Sequence, residues 1–134
     1  KQLLGSKIGS SKRIRIVPNG FDEDDLPPTT EPEPFEKFTL AYAGKLNSQQ
    51  NPENLWRALE HLLQTKAGFS ERFQFLYMGH FAPEVEHSIK AHGLEKILNY
   101  TGYLEHDKVL KNLSKSHLLL LVVPLAKDNK GILT

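Results

Sequence analysis

At 134 residues the chain has room for one ordinary domain with its own core, not two. With 39% hydrophobic and 25% charged residues it has the composition of a soluble globular protein, and a formal net charge of +1 lacks the basic excess of a dedicated nucleic-acid binder. The absence of cysteine excludes disulfides and thiolate metal sites; it is compatible with a reducing compartment, and a cytoplasmic location is expected.

Residues 1–13 read as a loop or frayed terminus. Ile14, Ile16 and Val17 then make a short strand, with Lys12, Arg13 and Arg15 as its solvated flank, and Pro18-Asn19-Gly20 stops it. Residues 1–20 are therefore the expected end of a preceding domain. From 21 to 37 the composition changes: Asp22, Glu23, Asp24 and Asp25 are followed by Pro27, Pro28, Pro32 and Pro34. Such an acidic, proline-rich segment cannot bury enough apolar surface to order itself and reads as an interdomain linker. It lacks the Asp-x-Asp-x-Asp-Gly pattern of a calcium loop. The chain begins at Lys1 without methionine, shows no signal peptide, and reads as a piece of something longer. Its longest apolar run, residues 117–125, is too short to cross a bilayer.

Residues 38–134 carry the domain proper. Phe-Thr-Leu-Ala-Tyr-Ala at 38–43 is a strand, which Gly44 breaks, and Lys45 follows. Asn51 as N-cap and Pro52 as first helical residue open a helix in which Leu55, Leu59, Leu62 and Leu63 recur at helical spacing; Lys66 and Gly68 close it. Trp56, beside that stripe, reads as core or domain-interface packing. A second strand spans 73–78 and meets Gly79. Pro83 starts a helix with Val85 and Ile89 inward, closed by Gly93. A third strand, 97–101, ends in Gly102. A helix over 107–115 turns Val109, Leu110 and Leu113 inward. The run 118–123 is nearly continuous in apolar residues, as expected of a central parallel strand covered on both faces. Strands alternating with helices at this spacing predict right-handed βαβ crossovers and an open, mostly parallel, Rossmann-like α/β sheet with helices on both faces.

Gly44, Gly79 and Gly102 each follow a strand and are expected at the carboxyl edge, where open α/β sheets bind ligands. Any one of them reads equally well as easing a tight turn; three in register favour a ligand. The G-x-G-x-x-G, G-x-x-x-x-G-K-[ST] and G-x-S-x-G patterns are absent, which argues against a classical dinucleotide site, a P-loop and a serine hydrolase. His87 and His92 lie five apart on different helix faces and read as ordinary surface histidines, so no metal site is expected. His106, at a helix start just past Gly102, stays a candidate.

Several segments, in order, resemble a known family. Ile16-Val17-Pro18-Asn19-Gly20-Phe21-Asp22 is similar to the "IPNGVD" segment joining the two halves of GT-B glycosyltransferases of the family 4 type. Tyr42-Ala43-Gly44-Lys45-Leu46, followed by Asn51-Pro52 and a leucine-rich helix, resembles the "GRL…K" opening of their C-terminal, donor-binding domain. Leu76-Tyr77-Met78-Gly79 resembles the second strand and glycine. Asn99-Tyr100-Thr101-Gly102-Tyr103-Leu104 with His106 is similar to "V-x-F-x-G-x-V-x-H". Lys130-Gly131-Ile132-Leu133-Thr134 resembles the start of the glycine-rich donor loop.

The resemblance implies a truncated C-terminal half of a retaining glycosyltransferase that moves a sugar from a UDP-, GDP- or ADP-sugar to an acceptor without a metal. Gly44, Lys45, Gln50, Gly131, Ile132, Leu133 and Thr134 fall at its donor-diphosphate positions, and Gly79, Gly102, Tyr103, Leu104 and His106 at its nucleobase positions. The family arginine is Lys45 here, a compact charge without a bidentate grip, and its second cation is the neutral Gln50. The glutamate-bearing helix that grips the ribose is expected after Thr134, so no complete catalytic set is expected and the fragment alone is expected to be inactive. The acceptor, a sugar or a lipid-linked acceptor, would belong to an absent N-terminal domain, which would also decide any peripheral membrane association of the full-length protein. Two alternatives stand beside this reading. One is a nucleotide-sugar epimerase of the same plan, for which His106 is the only proton-transfer candidate. The other is a non-catalytic α/β protein-interaction module; a receiver-like version would carry acids where Gly44-Lys45 and Gly102 stand.

The helix that should cover residues 118–123 would also follow Thr134. Exposed apolar surface and self-association are therefore expected. Light scattering should show a mass that rises with concentration; a monodisperse monomer at high concentration contradicts this.

Overall fold

The computed structural model describes residues 17, 20, 22 and 32–123. The strand expected around Ile14, most of the acidic segment and Gly131–Thr134 lie outside the described residues. In chain order the elements are β1 (Phe38–Leu46), a 3₁₀ turn (Ser48–Gln50), α1 (Glu53–Thr65), α2 (Phe69–Arg72), β2 (Phe73–Phe81), α3 (Pro83–Ala91), a second 3₁₀ turn (Leu94–Lys96), β3 (Leu98–Gly102), α4 (His106–Ser114) and β4 (Leu118–Leu119). The strands form one parallel sheet in the order β3-β2-β1-β4. The α/β class and the open parallel sheet are as the sequence predicts.

Alternation along β1 and β2 divides the core into two layers. Tyr42, Leu46, Phe75 and Tyr77 face one side, where Trp56 and Leu59 of α1 and Val85 and Ile89 of α3 cover them. Ala41, Leu76 and Met78 face the other, against Val109 and Leu113 of α4. Phe35, within the acidic segment, also packs on this second layer, and its N–H donates to the Lys115 carbonyl at 3.1 Å.

Trp56 is fully buried, edge-on to Phe75 at 5.4 Å between ring centroids. Its indole N–H donates to Asn51 Oδ1 at 2.7 Å, while Asn51 Nδ2 donates to Ser88 Oγ at 2.8 Å. This corrects the expected helix start. Asn51 spends its side chain bridging α1 and α3, Pro52 takes the cap position, and the helix begins at Glu53.

Neither Gly44 nor Gly79 ends its strand; β1 and β2 each continue two residues further. Both glycines have positive φ, 145° and 135°, and they are register partners. A Cβ on Gly79 would stand 2.0 Å from the Gly44 carbonyl oxygen, so only glycine lets the two backbones approach this closely. Tyr77 holds the approach from beneath. Its hydroxyl accepts from the Leu46 N–H at 3.2 Å, donates to the His80 carbonyl at 2.8 Å, and lies 3.2 Å from the Gly44 carbonyl. Burial, with the hydrogen bond from Leu46 opposing, pushes the Tyr77 phenol up to about 12.

Among the described residues the run 118–123 lies at the margin of the sheet, not at its centre as expected. Only Leu118 and Leu119 form β4, at the margin of the described sheet, and they are 53% and 62% exposed. Leu120 and Val122 are the residues that pack inward, and Leu121 and Val123 are exposed as well. A continuous apolar run matches a strand buried on both faces by composition alone; here one side of it has no described element on it.

His92 also departs from expectation. It caps the end of α3 with a side chain only 15% exposed, Nδ1 2.7 Å from Glu60 Oε2 and Nε2 2.7 Å from Glu53 Oε1, both on α1. A neutral imidazole donates from one nitrogen, so only the imidazolium satisfies both carboxylates. Glu53 first, then Glu60, hold its pKa above the ordinary 6.5, and His92 in turn holds the Glu53 carboxyl below its usual range.

Because the folded-state value of His92 is raised, its contribution to stability is complete below about pH 6.5 and is lost as pH climbs through the raised value. Urea midpoints should fall across that window in the parent chain and stay flatter in His92→Gln; equal slopes would contradict the clamp. Tyr77→Phe strands the buried Leu46 N–H and should cost about 1–3 kcal/mol in the same assay.

Candidate ligand site at the carboxyl edge

The sheet order reverses at β1, since the chain runs outward through β2 and β3 and then returns to place β4 on the other side. The helix that makes this return, α4, packs on the opposite face from α1 and α3. The connection from β3 to α4 therefore has to pass over the carboxyl ends of the inner strands. It does so through Tyr103 and Leu104, and a cavity of about 320 Å³ lies beneath.

Its lining is Ala43, Gly44 and Lys45 from β1, Met78, Gly79 and His80 from β2, Tyr103 and Leu104 from the connection, and Val109 from α4. Five residues singled out from the sequence thus converge: Gly44, Lys45, Gly79, Tyr103 and Leu104. Tyr103 lines the cavity while 75% exposed, whereas Leu104 packs against the second core layer. Lys45 and His80 are register partners on adjacent strands. They lie two residues beyond Ala43 and Met78, so alternation turns them to the same face of the sheet, toward α4.

Three candidates stand apart from this lining. Gly102 pairs with Met78 at the end of β3, and His106 is the first residue of α4; the described lining includes neither. Gln50 is engaged elsewhere, in a capping box. Asn47 Oδ1 accepts from the Gln49 and Gln50 N–H groups at 2.9 and 3.1 Å, and Gln50 Oε1 accepts from the Asn47 N–H at 3.4 Å. This is the pattern that fixes a helical turn, with the amide folded back on its own backbone.

His80 is the lining residue that the sequence reading passed over. The signal was available: in a strand carried past Gly79, the second residue after Met78 returns to the cavity face. Reading Gly79 as the end of the strand hid it. Among the described residues no group of three or more His, Asp or Glu side chains is arranged to hold a metal ion. The apolar part of the cavity, Ala43, Met78, Leu104 and Val109, can take a flat, weakly polar group, and the lysine and histidine at the strand ends can take an anion.

No family model and no curated protein matches the chain. Among solved structures, it is similar to the C-terminal domain of a glycosyl transferase group 1 family protein, LpcC, from Francisella tularensis, with a TM-score of 0.52 and 15% sequence identity. The match covers 75% of this chain and 57% of that one. The chain therefore has the Rossmann-like α/β fold of a GT-B C-terminal domain and spans little more than half the length of that structure.

Gly79→Ala should break the close approach of the two strands beside the cavity. The added Cβ meets the Gly44 carbonyl, and a loss of roughly 3 kcal/mol or more is expected in urea unfolding. Gly102→Ala, where a Cβ would meet nothing within 4 Å, should cost less although its φ is 70°. Equal losses would contradict this account of Gly79.

Proposed function

We propose that this domain is the donor-binding side of a glycosyltransferase, and that the cavity at the ends of β1 and β2 takes a nucleoside-diphosphate sugar. The observation that carries the reading is convergence. A sheet-edge crevice at the strand-order reversal is where this architecture binds nucleotides, and here it joins an apolar floor to Lys45.

In this reading the base lies under Tyr103 on Leu104 and Val109, and the diphosphate reaches Lys45 across the glycine backbone. As the bond between the sugar and the diphosphate breaks, negative charge grows on the departing nucleoside diphosphate. A fixed cation there stabilises the leaving group more than the intact donor, which is what lowers the barrier. The acceptor and the remaining catalytic groups come from elsewhere in the full-length protein, and transfer proceeds with retention at the anomeric carbon. The segment Gly131–Thr134, similar to the start of a glycine-rich donor loop, contributes to the diphosphate cradle, with no metal required. The protein works in the cytoplasm. Its acceptor is a sugar or a lipid-linked molecule, and peripheral membrane contact of the full-length protein fits the latter. No described helix is long and apolar enough to cross a membrane.

The test is a titration of UDP, GDP and ADP into isotope-labelled protein, followed through its backbone amides. One of the three should shift Gly44, Lys45, Gly79 and Leu104 together, and Lys45→Gln should weaken it by roughly tenfold, the scale of one charge-assisted hydrogen bond. If none of the three moves those amides at millimolar concentration, the domain is a binding module of another kind.

A further inference from the structure

We infer that His80 is the second cationic ligand of the diphosphate, in the role that Gln50 leaves unfilled; this rests on the donor-site reading above.

The geometry begins with β1 and β2, whose register places Lys45 and His80 side by side. Neighbouring strands lie about 4.8 Å apart, so two side chains on the same face at this position share one patch of space. Both are exposed, and both line the same cavity. Among the described residues neither makes an ion pair, whereas acidic partners engage Lys90, His92 and Lys108. The other titratable group in the cavity lining is Tyr103.

Two cation-capable groups held side by side repel one another when both are charged. An anion between them reverses the sign of that interaction. The backbone gives the pair little room to separate. Tyr77 ties the His80 carbonyl from below, and the Ala82 N–H donates to the Leu46 carbonyl at 2.8 Å just beyond, so the strand ends are fixed on both sides of the pair. An arrangement that holds two donors at a fixed separation beside an apolar floor suits two linked phosphates better than one. Gln50 cannot serve without giving up the capping box at Asn47.

Isothermal titration at about pH 6, on the acid side of the range in which imidazoles take up protons, separates the possibilities. The ligands are UDP, GDP, ADP and their parent nucleosides; the proteins are the parent chain, His80→Gln and His80→Arg. His80 is exposed, so both variants should keep the fold. The expected result is a roughly fivefold loss of diphosphate affinity in His80→Gln, unchanged nucleoside affinity, and recovery to within about twofold in His80→Arg. Diphosphate binding that His80→Gln leaves unchanged overturns the assignment of His80 while the donor-site reading stands. Equal losses for diphosphate and nucleoside place His80 on the base and also overturn it. If the parent chain binds none of these ligands, the donor-site reading falls and His80 falls with it.

Discussion

The close approach of Gly44 and Gly79 is the constraint on which the rest of this molecule depends. Two extended backbones come so near that a single Cβ on Gly79 would collide with the facing carbonyl. The Tyr77 hydroxyl closes the gap from the α1/α3 side by taking the Leu46 N–H and giving its proton to the His80 carbonyl. Its ring is also the centre of an aromatic cluster, stacked on Tyr42 at 5.5 Å and tilted against Phe81 at 5.1 Å. One side chain thus couples core packing to the geometry of the sheet edge. On the opposite face the same strand ends carry Lys45 and His80 into the cavity. The glycines have a sufficient structural cause in this contact. Their effect on function comes through where they place their neighbours.

Much of the fold was legible because its signals are local and periodic. Val85 and Ile89 recur at helical spacing behind Pro83, and that helix forms where expected, from Pro83 to Ala91. The strands at 38–43 and 73–78 announced themselves by alternation and composition. What failed to show was tertiary. Asn51 has the side chain of an N-cap, yet an indole across the helix claims its carbonyl, and only the packing of Trp56 reveals that competitor. The run at 118–123 has the composition of a doubly covered strand, but coverage depends on neighbours that composition does not encode. His92 looked like a surface histidine because its two carboxylates lie 32 and 39 residues away in sequence.

The candidate site shows the same division. Lys45, Tyr103 and Leu104 could be placed by motif and order, because each follows a recognisable strand. His80 was hidden because Gly79 reads as the end of its strand; alternation carried past that glycine returns the second residue after Met78 to the cavity face. At 15% identity to the solved domain it resembles, the chain shares the fold and little of the sequence. Function at such a distance is argued from what stands at the strand ends. Here an apolar floor, the exposed Tyr103 and two cation-capable groups with no ion-pair partner among the described residues fit a ligand with an aromatic end and an anionic end.

The most direct test is a crystal structure of the protein with whichever of UDP, GDP or ADP binds it most tightly. The account predicts the diphosphate lodged between the Lys45 and His80 side chains at the ends of β1 and β2, with the base beneath Tyr103. Density for the nucleotide in the groove between α3 and β3, lined by Phe81, Ile89 and Tyr100, would contradict it.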